Sequence, residues 1–123
     1  MTTLQNAVIE QLGFDSLDED CMATLEDVSS HGADSGFSGF IYYTETMAFF
    51  EANKAAIIEQ LKDDVDIFGP DSVIGLVKSF KCAADSTEDE IGATLYGGEV
   101  DTCVANCLAW YALETVAYQL TDN

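Results

Sequence analysis

Arginine is missing from this 123-residue chain, and lysine occurs four times against 23 aspartates and glutamates, for a formal net charge of −19. Without arginine the chain has no planar fork with which to grip a phosphate or carboxylate bidentately. With so few cations it has little to exchange for the counterions of a nucleic acid, the step that supplies much of the affinity for phosphate backbones. The same field repels an anionic membrane surface. Direct binding to nucleic acid or membrane is therefore excluded, and the natural partner is basic. Proline occurs once, which with nine glycines leaves little material for a flexible linker. Histidine occurs once, as His31, so a single side chain is an ordinary base near neutral pH. Long apolar runs are lacking too. Cys103–Ala117 is interrupted by Asn106, Glu114 and Thr115 and is shorter than the ~20 residues that span a bilayer. Met1–Leu12 carries Glu10 and no basic residue, so no secretory leader is read there. Cys21, Cys82, Cys103 and Cys107 are accordingly expected as reduced thiols in a cytoplasm.

Hydrophobic residues nevertheless make up 48% of the chain and aromatics 11%. An equally acidic chain poor in apolar residues would be disordered, but this one can bury a core. Its length suits one domain over residues 1–123, since folded domains commonly run to roughly 100–150 residues. The apolar spacing is helical almost throughout. Leu4, Val8 and Leu12 recur at i, i+4, i+8, and Gly13 follows as a stop. Ser16 with Glu19 sets a capping-box pattern for a second helix through Leu17, Cys21, Leu25 and Val28. Thr44 starts a helix carrying Met47, Phe49 and Phe50. Asn53 restarts it, with Ile57, Leu61, Val65 and Phe68 as the buried stripe, and Gly69-Pro70 ends it. Asp71 is expected to cap a short helix using Ile74, Val77 and Phe80. Ser86 with Asp89 opens another, through Ile91 and Leu95 to Gly97-Gly98. The last helix, about Val100–Leu120, is apolar on nearly every side, the mark of a helix wrapped by its neighbours. Strand-like alternation is confined to Phe40–Tyr43. The expected architecture is an all-α compact bundle of about six helices around the apolar C-terminal helix.

Chemistry finds little to work with. Cys103-x₃-Cys107 meets half of a structural-zinc signature and nothing meets the other half. At i, i+4 on one helix, the two thiols are expected to pack as small hydrophobes. Asp64-x-Asp66 before Gly69 resembles an EF-hand loop, but Phe68 and Gly75 stand where ligands belong. His31 with Asp34 would be the base and orienting group of a nucleophilic site, yet every thiol lies in a negative field that disfavours its thiolate. Gly36-Phe37-Ser38-Gly39-Phe40 misplaces the second glycine of a nucleophile elbow. The Gly32–Gly39 segment lacks the lysine of a phosphate-binding loop. Its flanking Phe37, Phe40, Tyr42 and Tyr43 are expected to anchor the loop to the helices. No metal, no cofactor and no enzyme activity is expected.

The acidic residues are the informative feature. Residues 1–53 carry ten carboxylates and no lysine, and residues 82–123 carry eight and no lysine. All four lysines fall within residues 54–81, beside five carboxylates. Ordinary solvated helices mix the two signs, often in i, i+4 pairs. Here the clusters Asp15/Asp18/Glu19/Asp20, Glu26/Asp27, Asp63/Asp64/Asp66 and Glu88/Asp89/Glu90 are expected to stand unpaired, as are Glu99 and Asp101. Helix dipoles account for acids in first turns but not for the missing cations. Carboxylates ~5–6 Å apart on a helical scaffold offer a row of negative points to a basic groove, as a duplex backbone does. These fourteen residues are the candidate partner-binding set. The expected function is that of a DNA mimic that blocks duplex binding. Reversal of Glu88, Asp89 and Glu90 to Lys is expected to abolish it with the fold intact.

The stretch HGADSGFSGFIYYTETMAFFEANKAAI (His31–Ile57), with LAWYALETVAYQL (Leu108–Leu120), resembles a group of small phage and plasmid proteins over about a third of the chain. In size and acidity the chain is also similar to phage anti-CRISPR and anti-restriction proteins, a likeness of character that transfers no individual residue. The resemblance implies a host-defence inhibitor acting in the bacterial cytoplasm. Its partner would be a Cas effector, above all a type I interference complex, or a restriction enzyme. An acidic adaptor for another basic protein is the alternative.

Overall fold

The computed structural model describes residues 1–32 and 43–121. Among these residues there are six α-helices: α1 (Thr3–Gln11), α2 (Glu19–His31), α3 (Tyr43–Phe68), α4 (Val73–Ser79), α5 (Glu88–Tyr96) and α6 (Thr102–Thr121). A 3₁₀ turn at Lys81–Ala83 follows α4, and no strand occurs among the described residues. The fold is the all-α bundle that the apolar spacing calls for. No helix among the described residues is long and apolar enough to cross a membrane.

α6 is the central element, contacted by α1, α2, α3, α5 and the 3₁₀ turn. It buries Val104, Ala105, Cys107, Leu108, Ala109, Ala112, Leu113, Val116 and Ala117. Leu4 and Val8 of α1, Leu25 and Val28 of α2, Phe50, Ile57 and Leu61 of α3, and Ile91 and Leu95 of α5 close over it as one core. α3 is broken at Asn53, whose backbone leaves helical geometry at φ −122°, ψ 17°. There the Asn53 side-chain Nδ2 donates at 3.0 Å to the Phe49 carbonyl, the acceptor that pairs with the Asn53 N–H in a regular helix. The restart at Asn53 read from the sequence is thus a bend inside one helix.

Helix starts differ from the expected ones by one or two residues. Asp18, not Ser16, caps α2 by accepting from the Cys21 N–H at 2.9 Å, which leaves Leu17 ahead of the helix and exposed. Ser72, not Asp71, caps α4. Thr87, not Ser86, caps α5, and Glu90 completes the capping box by accepting from the Thr87 N–H at 3.0 Å. In each case several small polar residues compete, and the one whose side chain reaches the free N–H groups is set by where the apolar face meets the core. α5 ends at Gly97, in the left-handed region at φ 104°. A side chain on Gly98 would meet the Ala93 Cβ at 2.6 Å, so the glycine pair has two separate reasons to be glycine. The Asp101 N–H then donates to the buried Thr94 hydroxyl at 2.9 Å, and Asp101 caps α6 through the Val104 N–H at 3.0 Å.

Two burial expectations fail. Phe68 ends the expected buried stripe of α3 but is 67% exposed, because the last turn of α3 runs beyond the bundle that covers Ile57 and Leu61. Cys107 is buried but Cys103 is exposed. It stands one turn nearer the start of α6, beside the exposed Thr102, where the surrounding helices no longer cover the face. Phe37, Phe40 and Tyr42 of the aromatic loop reading, residues 33–39 of the Gly32–Gly39 segment and residues 40–42 of the alternation lie outside the described residues, while Tyr43 is the first residue of α3, one before the expected start at Thr44.

Candidate functional site

Two features stand out on the folded chain. One is its acidic surface. Of the carboxylates among the described residues, all but Glu45, Asp64, Asp101 and Glu114 are exposed. The lysines do little to neutralise them. Lys54 lies 5.6 Å from the Phe50 ring centroid, and Lys78 donates to the Ser86 and Ala84 carbonyls. Lys62 forms the one ion pair among the described residues, with Glu59 at 3.3 Å. Lys81 stands exposed on the 3₁₀ turn. Two of four cations are therefore engaged in holding the fold, and a third is paired along its own helix.

The structure distributes the fourteen candidate acids over three regions. Asp15, Asp18, Glu19, Asp20, Glu26 and Asp27 are exposed on α2 and the turn before it. Asp63, Asp64 and Asp66 lie in the second half of α3. Asp89, Glu90, Glu99 and Asp101 converge on one cleft of about 410 Å³ where α5 turns into α6, with Glu88 adjoining it on the first turn of α5. Four of the fourteen also serve the fold. Asp18 and Asp101 are helix caps, Glu90 closes the α5 capping box, and Asp64 is buried. The Thr87 hydrogen bonds hold the Glu90 carboxyl below its ordinary range. Reversing Glu90 therefore removes a cap together with a charge, so Glu88/Asp89/Glu90 reversal does not isolate a surface effect.

The second feature was not legible from spacing. A groove of about 1190 Å³ lies between the end of α3, the 3₁₀ turn and α6. Ile67, Phe68, Phe80, Trp110, Tyr111 and Tyr118 supply its apolar and aromatic surface. Asp63, Asp64 and Glu114 supply three carboxylates against Lys81. Phe80 and Tyr111 stack with centroids 5.2 Å apart and planes at 25°. The floor is a directed hydrogen-bond chain through three helices. Gln5 Nε2 of α1 donates to Gln119 Oε1 of α6 at 2.9 Å, and Gln119 Nε2 donates to Gln60 Oε1 of α3 at 3.0 Å. Gln60 Nε2 donates to Asp64 Oδ1 at 3.1 Å, and the Tyr111 hydroxyl donates to Asp64 Oδ2. Two donors, Gln60 Nε2 and the Tyr111 hydroxyl, thus meet the two oxygens of the Asp64 carboxylate, which is how a 7%-exposed charge is tolerated. Burial first, and then the Asp64 hydrogen bond, push the Tyr111 hydroxyl pKa far up, so it stays a donor.

Two of the four thiols are held in their protonated form. Burial, and then the adjoining Cys82, raise the Cys107 thiol pKa far above its ordinary value. Burial and Asp18 raise that of Cys21. Neither has the depressed pKa of a nucleophile. His31 is exposed, with Nδ1 3.2 Å from the Asp27 carbonyl, and Asp34 lies outside the described residues. No group of three or more His, Cys, Asp or Glu side chains among the described residues could hold a metal ion.

Over its whole length, residues 1–123, the chain matches the model of a domain of unknown function, DUF7222, and it belongs to that family. No curated protein and no solved structure matches it.

Proposed function

We propose that this family member is an inhibitor of a basic nucleic-acid-binding complex, acting as a DNA mimic that blocks duplex binding, with a type I CRISPR interference complex as the favoured target. The observation that carries this reading is the acidic surface left without cations. Ten of the candidate carboxylates, Asp15, Asp18, Glu19, Asp20, Glu26, Asp27, Glu88, Asp89, Glu90 and Glu99, are exposed on or beside helices in regions with no lysine in the sequence. An exposed charge set of one sign destabilises the compact state through self-repulsion, and a basic binding channel relieves that repulsion while gaining complementarity. No catalytic group is required of the inhibitor. A restriction enzyme is the second target that the same surface suits. An acidic adaptor for a different basic protein uses the same charge without competing for duplex.

The test is competition. Labelled duplex bound to a purified interference complex is displaced by the protein, and displacement weakens as salt rises from ~50 to ~200 mM. Capture of bacterial proteins on the immobilised chain, read by mass spectrometry, separates an interference complex from a restriction enzyme. Glu26→Lys, Asp27→Lys and Glu99→Lys together avoid the capping residues and the buried Asp64, and are expected to abolish displacement. Displacement that ignores both salt and these reversals would sink the proposal.

A further inference from the structure

We infer that the groove between the end of α3, the 3₁₀ turn and α6 is a docking site for a basic amphipathic helical segment of a partner protein. This inference does not rest on the duplex-decoy reading, because it concerns a different surface. Ile67, Phe68 and Tyr118 are 73%, 67% and 55% exposed and meet around a single groove, whereas isolated apolar residues scatter. Contiguous exposed apolar surface marks an interaction site. At about 1190 Å³ the groove exceeds the ~300–1,000 Å³ usual for small-molecule sites, which favours a peptide segment.

Charge selects the occupant. Asp63 and Glu114 line the groove with Lys81 as its single cation, and the buried, hydrogen-bonded Asp64 adds to their field, in a chain of net charge −19. A second copy of this chain would bring the same −19 to the contact and be repelled. A cationic segment is attracted, and its aliphatic side chains cover Phe68 and Tyr118. The floor needs nothing from the occupant, since its polar groups from Gln5 to Asp64 already satisfy one another. Such a preformed floor lowers the ordering cost of binding. Recognition then follows the helix-in-groove mode, with apolar anchors at i, i+3, i+4 and i+7 flanked by Lys or Arg.

The test uses the full chain and two fluorescent peptides of about 18 residues, both made of Leu and Lys in the same proportions. One places Leu at i, i+3, i+4 and i+7, and the other scrambles them. At ~150 mM salt the patterned peptide is expected to bind about tenfold more tightly than the scrambled one. Phe68→Ser with Tyr118→Ser, both at exposed positions, removes that preference while the helical circular dichroism stays unchanged. Equal binding of the two peptides reduces the effect to bare charge attraction and overturns the inference, as does a preference that survives in the double variant. Self-association in sedimentation that the double variant abolishes overturns it as well, by assigning the groove to a second copy. The Glu26, Asp27 and Glu99 reversals leave the patterned-to-scrambled ratio unchanged even where they abolish duplex displacement, so the two proposals fail independently.

Discussion

Tyr111→Phe removes one oxygen and leaves the ring stacked on Phe80, so it deletes the hydroxyl's hydrogen bond to Asp64 together with its contact to Thr115. Asp64 is 7% exposed and would keep a single donor, Gln60 Nε2 at 3.1 Å. A hydrogen bond to a charged group contributes about 1.5–3 kcal/mol, and a buried acceptor that loses its donor bears much of its desolvation penalty. Asp64 borders the groove, so water can replace part of the lost contact, which places the expected loss near the lower end, about 1.5–2 kcal/mol. For a chain of this length such a loss lowers Tm by roughly 5–10 °C. Urea unfolding followed by circular dichroism measures it as a shift in midpoint with an unchanged slope, which separates a stability change from a change in the unfolded state. Asp64→Asn supplies the second arm. Its amide would present an N–H₂ among donors that all point at it, so it also destabilises. Because both variants break one interaction, the double variant should be less destabilised than the sum, by about 1 kcal/mol. A Tyr111→Phe chain within about 0.5 kcal/mol of the parent, or strict additivity in the double variant, would refute the assignment of Asp64 as a buried charge held by this network.

Alkaline pH should destabilise the fold from roughly pH 9 upward, because Cys107 and Tyr111 both keep their protons in the folded state beyond their ordinary values of 9.0 and 10.0. The unfolded chain loses those protons first, so their contribution is fully present below about pH 9 and fades above it. Urea midpoints at about pH 7, 9 and 10.5 should fall less steeply in Cys107→Ala and Tyr111→Phe than in the parent. Leu108→Ala, at a fully buried position of the central helix, should cost about 2–5 kcal/mol by urea denaturation. Within the cleft at the start of α6, Asp101→Ala should cost about 1 kcal/mol through loss of the α6 cap. Glu99→Ala, in the same cleft, should change stability by less than about 0.5 kcal/mol in the same assay.

Local pattern was enough for the helices and not enough for their exposed ends. Leu4 and Val8, Leu25 and Val28, or Ile91 and Leu95 declare a helix face because their spacing repeats within a few residues, and the structure buries all six. Gly69 and Gly97 mark ends because only glycine readily takes the positive φ found there, 90° and 104°. Caps were placed one or two residues off, because Ser16, Asp71 and Ser86 offer the same chemistry as the neighbours that do the capping. Phe68 was misplaced for a different reason. Periodicity reports which side of a helix is apolar, while burial depends on how far the neighbouring helices extend. The apolar character of α6 all round had the same ambiguity: part of it is core, and Trp110, Tyr111 and Tyr118 line the groove.

By itself the sequence determined the helical class, the helix that stands at the centre and the sign of the surface, since each follows from residue type or from spacing along one segment. The tertiary structure alone decided which acids are surface and which are structural. Asp64 and Asp66 look alike in sequence, yet one is buried under Tyr111 and the other is exposed. It also decided that Gln5, Gln60 and Gln119 form one chain, because residues 59 and 114 positions apart meet only when α1, α3 and α6 pack together. Charge and periodicity are properties of a segment, whereas burial, partnership and grooves are properties of where segments end against one another.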